Sequence, residues 1–148
     1  MTKIDVLCAG KLKESFYRDA VAEYAKRLSR YVKLNIIEVA DGPDMDAERD
    51  RMLPKIRDDV FLITLEIEGD EMKSTELAGC IGTLENSGHS HIMFVIGGSD
   101  GLHEDILKKS DIRISFSKMT FPHNLMRVIL LEQVYRAYRI MNGEPYHK

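Results

Sequence analysis

The sequence predicts an α/β domain, a mostly parallel sheet with helices on both faces. Three observations carry this. Strand-type alternation and helix-type spacing of apolar residues succeed one another along the whole chain. The run Val60 to Leu65 is essentially apolar, as in a strand covered on both sides and placed centrally. The 148 residues suffice for one domain with a sizeable core, spanning 1–148 without repeat, linker or low-complexity stretch.

Each element follows from its own pattern. Lys3 to Ala9 alternates Ile4, Val6 and Cys8, a strand. Glu14 to Tyr31 sets Phe16, Ala20, Val21, Tyr24, Ala25 and Leu28 at helical spacing, with Arg18, Lys26, Arg27 and Arg30 on the other face. Leu34 to Ala40 is the second strand, and Asp41-Gly42-Pro43 breaks the chain. A charged helix is expected from Asp44 to Asp58, kinked or ended by Pro54. After the strand Val60 to Leu65, Glu66 to Lys73 reads as an acidic loop around Gly69. Ser74 to Asn86 reads as a helix capped by Ser74, with Leu77, Ile81 and Leu84 on one face. His91 to Ile96 is the fourth strand, Leu102 to Lys109 a short helix, and Ile112 to Phe116 the fifth strand. Pro122 to Met141 is the last helix, with proline opening it and Gly143 just past its end.

Composition narrows the class. The chain is 44% hydrophobic and 30% charged, as in a soluble globular domain. No apolar run approaches the roughly 18 residues of a membrane span, and KIDVLCAG is too short for a secretion signal. Cys8 and Cys80 form no CxxC and read as buried thiols of a reducing cytoplasm. The net charge of −3 hides a strong polarity. Residues 1–37 carry 8 Lys/Arg against 4 Asp/Glu, residues 38–112 carry 7 against 18, and residues 113–148 carry 6 against 2. An acidic total argues against a non-specific nucleic-acid coat but permits a local basic face.

The last third carries the chemistry. IMFVIGGSDG (92–101) is an apolar strand running into a glycine turn, and SKMTFPH (117–123) is a loop opening the last helix. Two such strand-end loops can close over one ligand at the carboxyl edge of a parallel sheet. GGSDG is neither GxGxxG nor a Walker loop, so the glycines alone say only that backbone is exposed in a tight turn. Ser117, Thr120 and the backbone around Met119 and Phe121 offer polar partners, and Leu65 an apolar wall. His123 is either a solvent-facing residue of the first helical turn or a group that binds or deprotonates a substrate. The helix N-terminus favours its neutral form. Arg127, one turn on, suits a phosphate clamp. Tyr146, His147 and Lys148 are either a frayed tail or a set that stacks on a base and pairs with phosphates. His89 and His91 form HxH without a further ligand set, so no metal is expected. The apolar residues of the last helix wrap nearly all round it, so it is either buried on all sides or forms a homodimer contact.

FVIGGSDGL, then SKMTFPHNLMRVILLEQVYRAYRI, then NGEPYHK resembles the small single-domain SPOUT methyltransferases of large-subunit ribosomal RNA, the RlmH (YbeA-like) group. The resemblance covers essentially the whole chain. It implies methyl transfer from S-adenosyl-L-methionine to N3 of a pseudouridine in 23S rRNA, on assembled ribosomes, by a cytoplasmic homodimer. It implies a trefoil knot in the C-terminal part, which general topology rules would not have given. By the same resemblance, cofactor contacts fall on Leu65, Gly98, Ser117, Lys118, Met119, Thr120, Phe121 and Pro122. The active-site region falls on His123, Arg127, Tyr146 and His147. Lys26, Arg27 and Arg30 are then candidates for rRNA phosphates. A dehydrogenase is excluded, since CAGKLKE after the first strand lacks GxGxxG. A non-catalytic ribosome-binding module and a SPOUT enzyme with another RNA target remain the alternatives.

Overall fold

The computed structural model describes residues 1–146. Five parallel strands run in the order β2-β1-β4-β3-β5: β1 Lys3–Ala9, β2 Lys33–Val39, β3 Phe61–Glu71, β4 His91–Ile96 and β5 Ile112–Ser115. The helices are α1 Ser15–Leu28, α2 Met45–Met52, α3 Ser74–Asn86, α4 Glu104–Leu107 and α5 His123–Met141. The sheet is covered on both faces, as expected. Ile4, Val6, Ile63, Ile92 and Phe94 pack on one side against Leu28 of α1, Ile81 of α3 and Leu130, Leu131 and Val134 of α5. Leu7, Leu62, Met93 and Val95 pack on the other against Met52 of α2 and Ile106 of α4. This two-sided burial explains the near-continuous apolar runs of β1, β3 and β4.

Several boundaries differ from the expectation. The segment Glu66–Lys73 is not a loop up to its end, because β3 continues to Glu71. Its pairing with β5 shifts register between Leu65 and Asp70, after which Asp70 pairs with Ile114 and Glu71 with Ser115. Gly69 permits this, since a Cβ there would stand 2.7 Å from the Ile114 carbonyl carbon. The extension pairs with the edge strand β5, so Glu68 and Glu71 stay exposed, while Glu66 is largely buried. β3 is an interior strand between β4 and β5; the centre of the sheet is β4.

The helix expected to run from Asp44 to Asp58 stops at Met52. Asp44 caps it by accepting from the Ala47 amide (2.9 Å), and Leu53–Lys55 tightens into a 3₁₀ turn around Pro54. Lys73 rather than Ser74 occupies the cap position of α3. Ser74 instead donates to Gln133 Oε1 of α5 (2.6 Å), tying the two helices. The short helix spans Glu104–Leu107 only, with His103 Nδ1 accepting from the Asp105 amide. Pro122 precedes α5 in its cap position. Every α5 residue is buried or half-buried already within one chain.

Among the described residues no helix is long and apolar enough to cross a membrane. None of their His, Cys, Asp and Glu side chains group as a metal cage. His91 pairs with Asp5 (2.6 Å), and His89 lies edge-on to Phe61.

Candidate functional site

β4 ends at Ile96, beside Leu65 of β3, and β5 ends at Ser115; the chain leaves both in loops, while β3 shifts register after Leu65 and runs on to Glu71. Strand ends at one sheet edge leave a crevice there, which loops from neighbouring strands can roof. A cavity of about 490 Å³ occupies this crevice, a volume within the range of small-molecule sites. Leu65, Ile96, Phe121 and Met126 give it apolar walls; Gly97, Gly98, Ser115 and Ser117 give it backbone and hydroxyl groups.

The glycine turn is needed sterically. A Cβ on Gly97 would lie 2.5 Å from the Gly101 carbonyl carbon, backbone that cannot move aside. A Cβ on Gly98 would lie 2.9 Å from Glu48 Oε2. Glu48 also accepts the Gly42 amide (2.8 Å), so the loop after β2 and the glycine turn both lie against this carboxylate. The opposite loop is ordered by its own serines. Ser115 Oγ donates to the Ser117 carbonyl (3.0 Å), and Ser117 Oγ accepts the Met119 amide (2.9 Å).

Of the residues expected to hold a cofactor, Leu65, Gly98, Ser117, Met119, Thr120, Phe121 and Pro122 line the cavity; Lys118 does not. His123 lines it from the first turn of α5. Its Nε2 lies 3.7 Å from where a Gly10 Cβ would be, and Asp41 Oδ2 lies 3.3 Å from the same point. Gly10, with φ +92°, thus leaves an opening faced by an imidazole and a carboxylate.

Two expected site residues lie elsewhere. Arg127 is no phosphate clamp in this structure, being only 1% exposed. Its Nη1 pairs with Glu38 Oε2 (2.5 Å) and its Nη2 donates to the Gly10 carbonyl (3.0 Å). The reason is its depth along the helix. Arg127 shares the buried stripe of Leu130, Leu131 and Val134, whereas His123 stands one turn nearer the rim. Tyr146 does not reach the cavity either. Its hydroxyl donates to Glu132 Oε2 (3.0 Å), and its ring meets Tyr135 edge-on and lies under the Arg136 guanidinium. Glu132 is nine residues beyond His123, about 13.5 Å along the helix. Burial, then the bond to Glu132, pushes the Tyr146 hydroxyl up to about 12. At neutral pH it is therefore a donor and not a base. His147 lies outside the described residues.

Sequence reasoning missed Glu66 and Ile67, which line the cavity from the extension of β3. The alternation Leu65, Ile67 was the available signal. Glu66 is the one carboxylate among the lining residues and stands 3.7 Å from Arg113 Nη1. The cavity thus offers mixed apolar walls, bare backbone and a single acidic group. That suits a ligand with an apolar face, hydrogen-bonding edges and positive charge. The basic face expected on α1 is also partly committed. Arg27 pairs with Glu23 (2.8 Å) and covers the Tyr24 ring, and Arg30 covers Tyr31 beside Glu144.

Comparison with known proteins gives the site its context. A family described as "Predicted SPOUT methyltransferase" matches residues 2–147. A Bifidobacterium adolescentis protein named "Ribosomal RNA large subunit methyltransferase H" is 53% identical, over 99% of both chains. A Clostridium tetani protein of the same name is 50% identical, over 98% of this chain and 99% of its own. Together with the strand-end cavity, these similarities mean that the chain belongs to the SPOUT methyltransferase family.

Proposed function

We propose that this protein methylates N3 of a pseudouridine in 23S rRNA, using S-adenosyl-L-methionine, on assembled ribosomes and in the cytoplasm. The observation that carries the reading is the strand-end cavity with His123 at its rim. The names of the relatives support a large-subunit rRNA substrate. The cavity fits the cofactor by volume and by chemistry. Leu65, Ile96, Phe121 and Pro122 would flank its apolar parts; the backbone of Gly98 and Met119 to Phe121 would meet its hydrogen-bonding edges. Glu66 is complementary to its positive charge. Bound there, the cofactor supplies a methyl group already activated on a sulfonium.

The protein's own task is alignment and proton removal. N3 of the base must lose a proton as it gains the methyl group. His123 is placed at the cavity rim to accept that proton at Nε2. The Asp41 carboxylate facing the same opening then stabilises the imidazolium. Holding base and donor in line supplies much of the rate. Arg127 acts from beneath, by fixing the Gly10 carbonyl under the opening. Tyr146 and His147 belong to this reading only if the homodimer brings a tail from one subunit to the other's cavity. The apolar circumference of α5 supports a homodimer, and family membership supports the C-terminal knot.

The test is to add purified protein and the cofactor to ribosomes from cells lacking this enzyme, then digest the rRNA and weigh its nucleosides. N3-methylpseudouridine from 23S rRNA is the expected product. A methyl group on another nucleoside would move the target elsewhere.

A further inference from the structure

We infer that the loop between β1 and α1, residues 10–14, grips RNA phosphates beside the reacting base through Lys11 and Lys13. The inference rests on the methyltransferase reading above and adds the surface by which the RNA is held. The loop's position comes from Gly10, where an added Cβ would lie 3.7 Å from His123 Nε2 at the cavity rim.

Its construction is unusual for a surface connection. The Gly10 amide donates to the Val39 carbonyl (2.7 Å), and its carbonyl accepts from Arg127 Nη2 (3.0 Å). The Leu12 amide donates to Glu38 Oε2 (3.3 Å), the same oxygen that pairs with Arg127. Arg18 Nη1 donates to the carbonyls of Leu12 and Lys13. Leu12 packs against the core, while Lys11 and Lys13 on either side of it are exposed.

Burying a guanidinium to hold a loop is costly, and Arg127 Nε stays unpartnered. Such a cost makes sense where the loop must be preorganised. What it presents outward is two ammonium groups, flexible point charges suited to phosphate oxygens, followed by the exposed Glu14 carboxylate where the loop meets α1. The nearby carboxylates do not cancel them all: Glu38 is neutralised by Arg127, and Asp41 faces the His123 side of Gly10. A chain of net charge −3 needs such a local grip, and Arg27 and Arg30 already serve other partners.

The test measures binding to unmodified ribosomes over a salt series, beside calorimetric titration of S-adenosyl-L-methionine. Lys11→Gln/Lys13→Gln is compared with wild type and with Arg27→Gln/Arg30→Gln. The double lysine variant is expected to keep its melting temperature and cofactor affinity, and to bind ribosomes roughly tenfold more weakly. The slope of log K against log salt should shrink by about 1.5, two phosphate contacts' worth. Arg18→Ala, which frees the loop and keeps both lysines, should give an intermediate loss. If wild type binds and the lysine variant matches its affinity and slope, the loop is not the grip. If the slope is lost in Arg27→Gln/Arg30→Gln instead, the grip lies on α1. If wild type does not bind ribosomes at all, the assembled ribosome is not the substrate and this inference falls with that part of the reading.

Discussion

Replacing Arg127 by methionine isolates what a buried cation contributes to this site. Methionine keeps the length and packing of the side chain, so the change is mainly electrostatic. The Gly10 carbonyl loses its donor, and a buried acceptor left unpaired costs about 1–3 kcal/mol. Glu38 loses the cation 2.5 Å away, but its side chain is one-third exposed, so water recovers part of that loss. Removing a guanidinium whose Nε has no partner returns some stability. Together these give a net loss of about 3 kcal/mol. For a chain of this length that corresponds to a melting point lower by roughly 6–12 °C. Urea denaturation followed by circular dichroism, with a thermal scan, measures it. Glu38→Gln/Arg127→Met should recover about 1–2 kcal/mol relative to Arg127→Met, since no charge is then stranded. A loss below about 1 kcal/mol, or strict additivity of the two changes, would refute the argument.

Other outcomes follow from the same geometry. His123→Ala should slow methyl transfer by roughly 10²–10⁴-fold with little change in cofactor affinity, read from single-turnover rates; an unchanged rate removes it as the base. Gly97→Ala should abolish cofactor binding in calorimetry, because its Cβ meets the Gly101 backbone; normal binding would show that the turn can yield. The Tyr146 hydroxyl, raised by burial, should stay protonated past pH 10 in a difference titration against Tyr146→Phe. Its folded value lies above the ordinary one, so the stability it contributes is full below pH 10 and lost as pH rises towards about 12. A Tyr146 titrating at the ordinary value would contradict its packing on α5. Burial likewise pushes the Cys8 thiol up to about 12, so alkylation of native protein at pH 8 should spare Cys8 and label it only after unfolding.

The sheet and most of the cavity were legible in the sequence because a parallel sheet fixes where its loops lie. Once Leu65, Ile96 and the strand before Ser117 are read as neighbouring strands, their following residues must meet at one edge. What was not legible depended on register and depth. Glu66 and Ile67 looked like loop because acidic residues crowd them, although Leu65, Ile67 and Gly69 keep strand alternation. Arg127 was read from its distance to His123 alone. The apolar residues three, four and seven positions on mark its direction as inward. Tyr146 was read as reaching the ligand, but the turn at Gly143 (φ +66°) sends the chain back along α5. There Glu144 accepts from Tyr31 and Arg139, which anchors residues 144–146.

The most direct test of the central claim is transfer of labelled methyl from S-adenosyl-L-methionine to three substrates lacking the modification: assembled ribosomes, isolated large subunits and naked 23S rRNA. The account predicts label on a 23S pseudouridine in assembled ribosomes only, abolished by Gly97→Ala. Label on naked rRNA would keep the chemistry and overturn recognition of the assembled particle. No label on any of the three, from folded protein that binds ribosomes, would contradict the account and favour a non-catalytic ribosome-binding role.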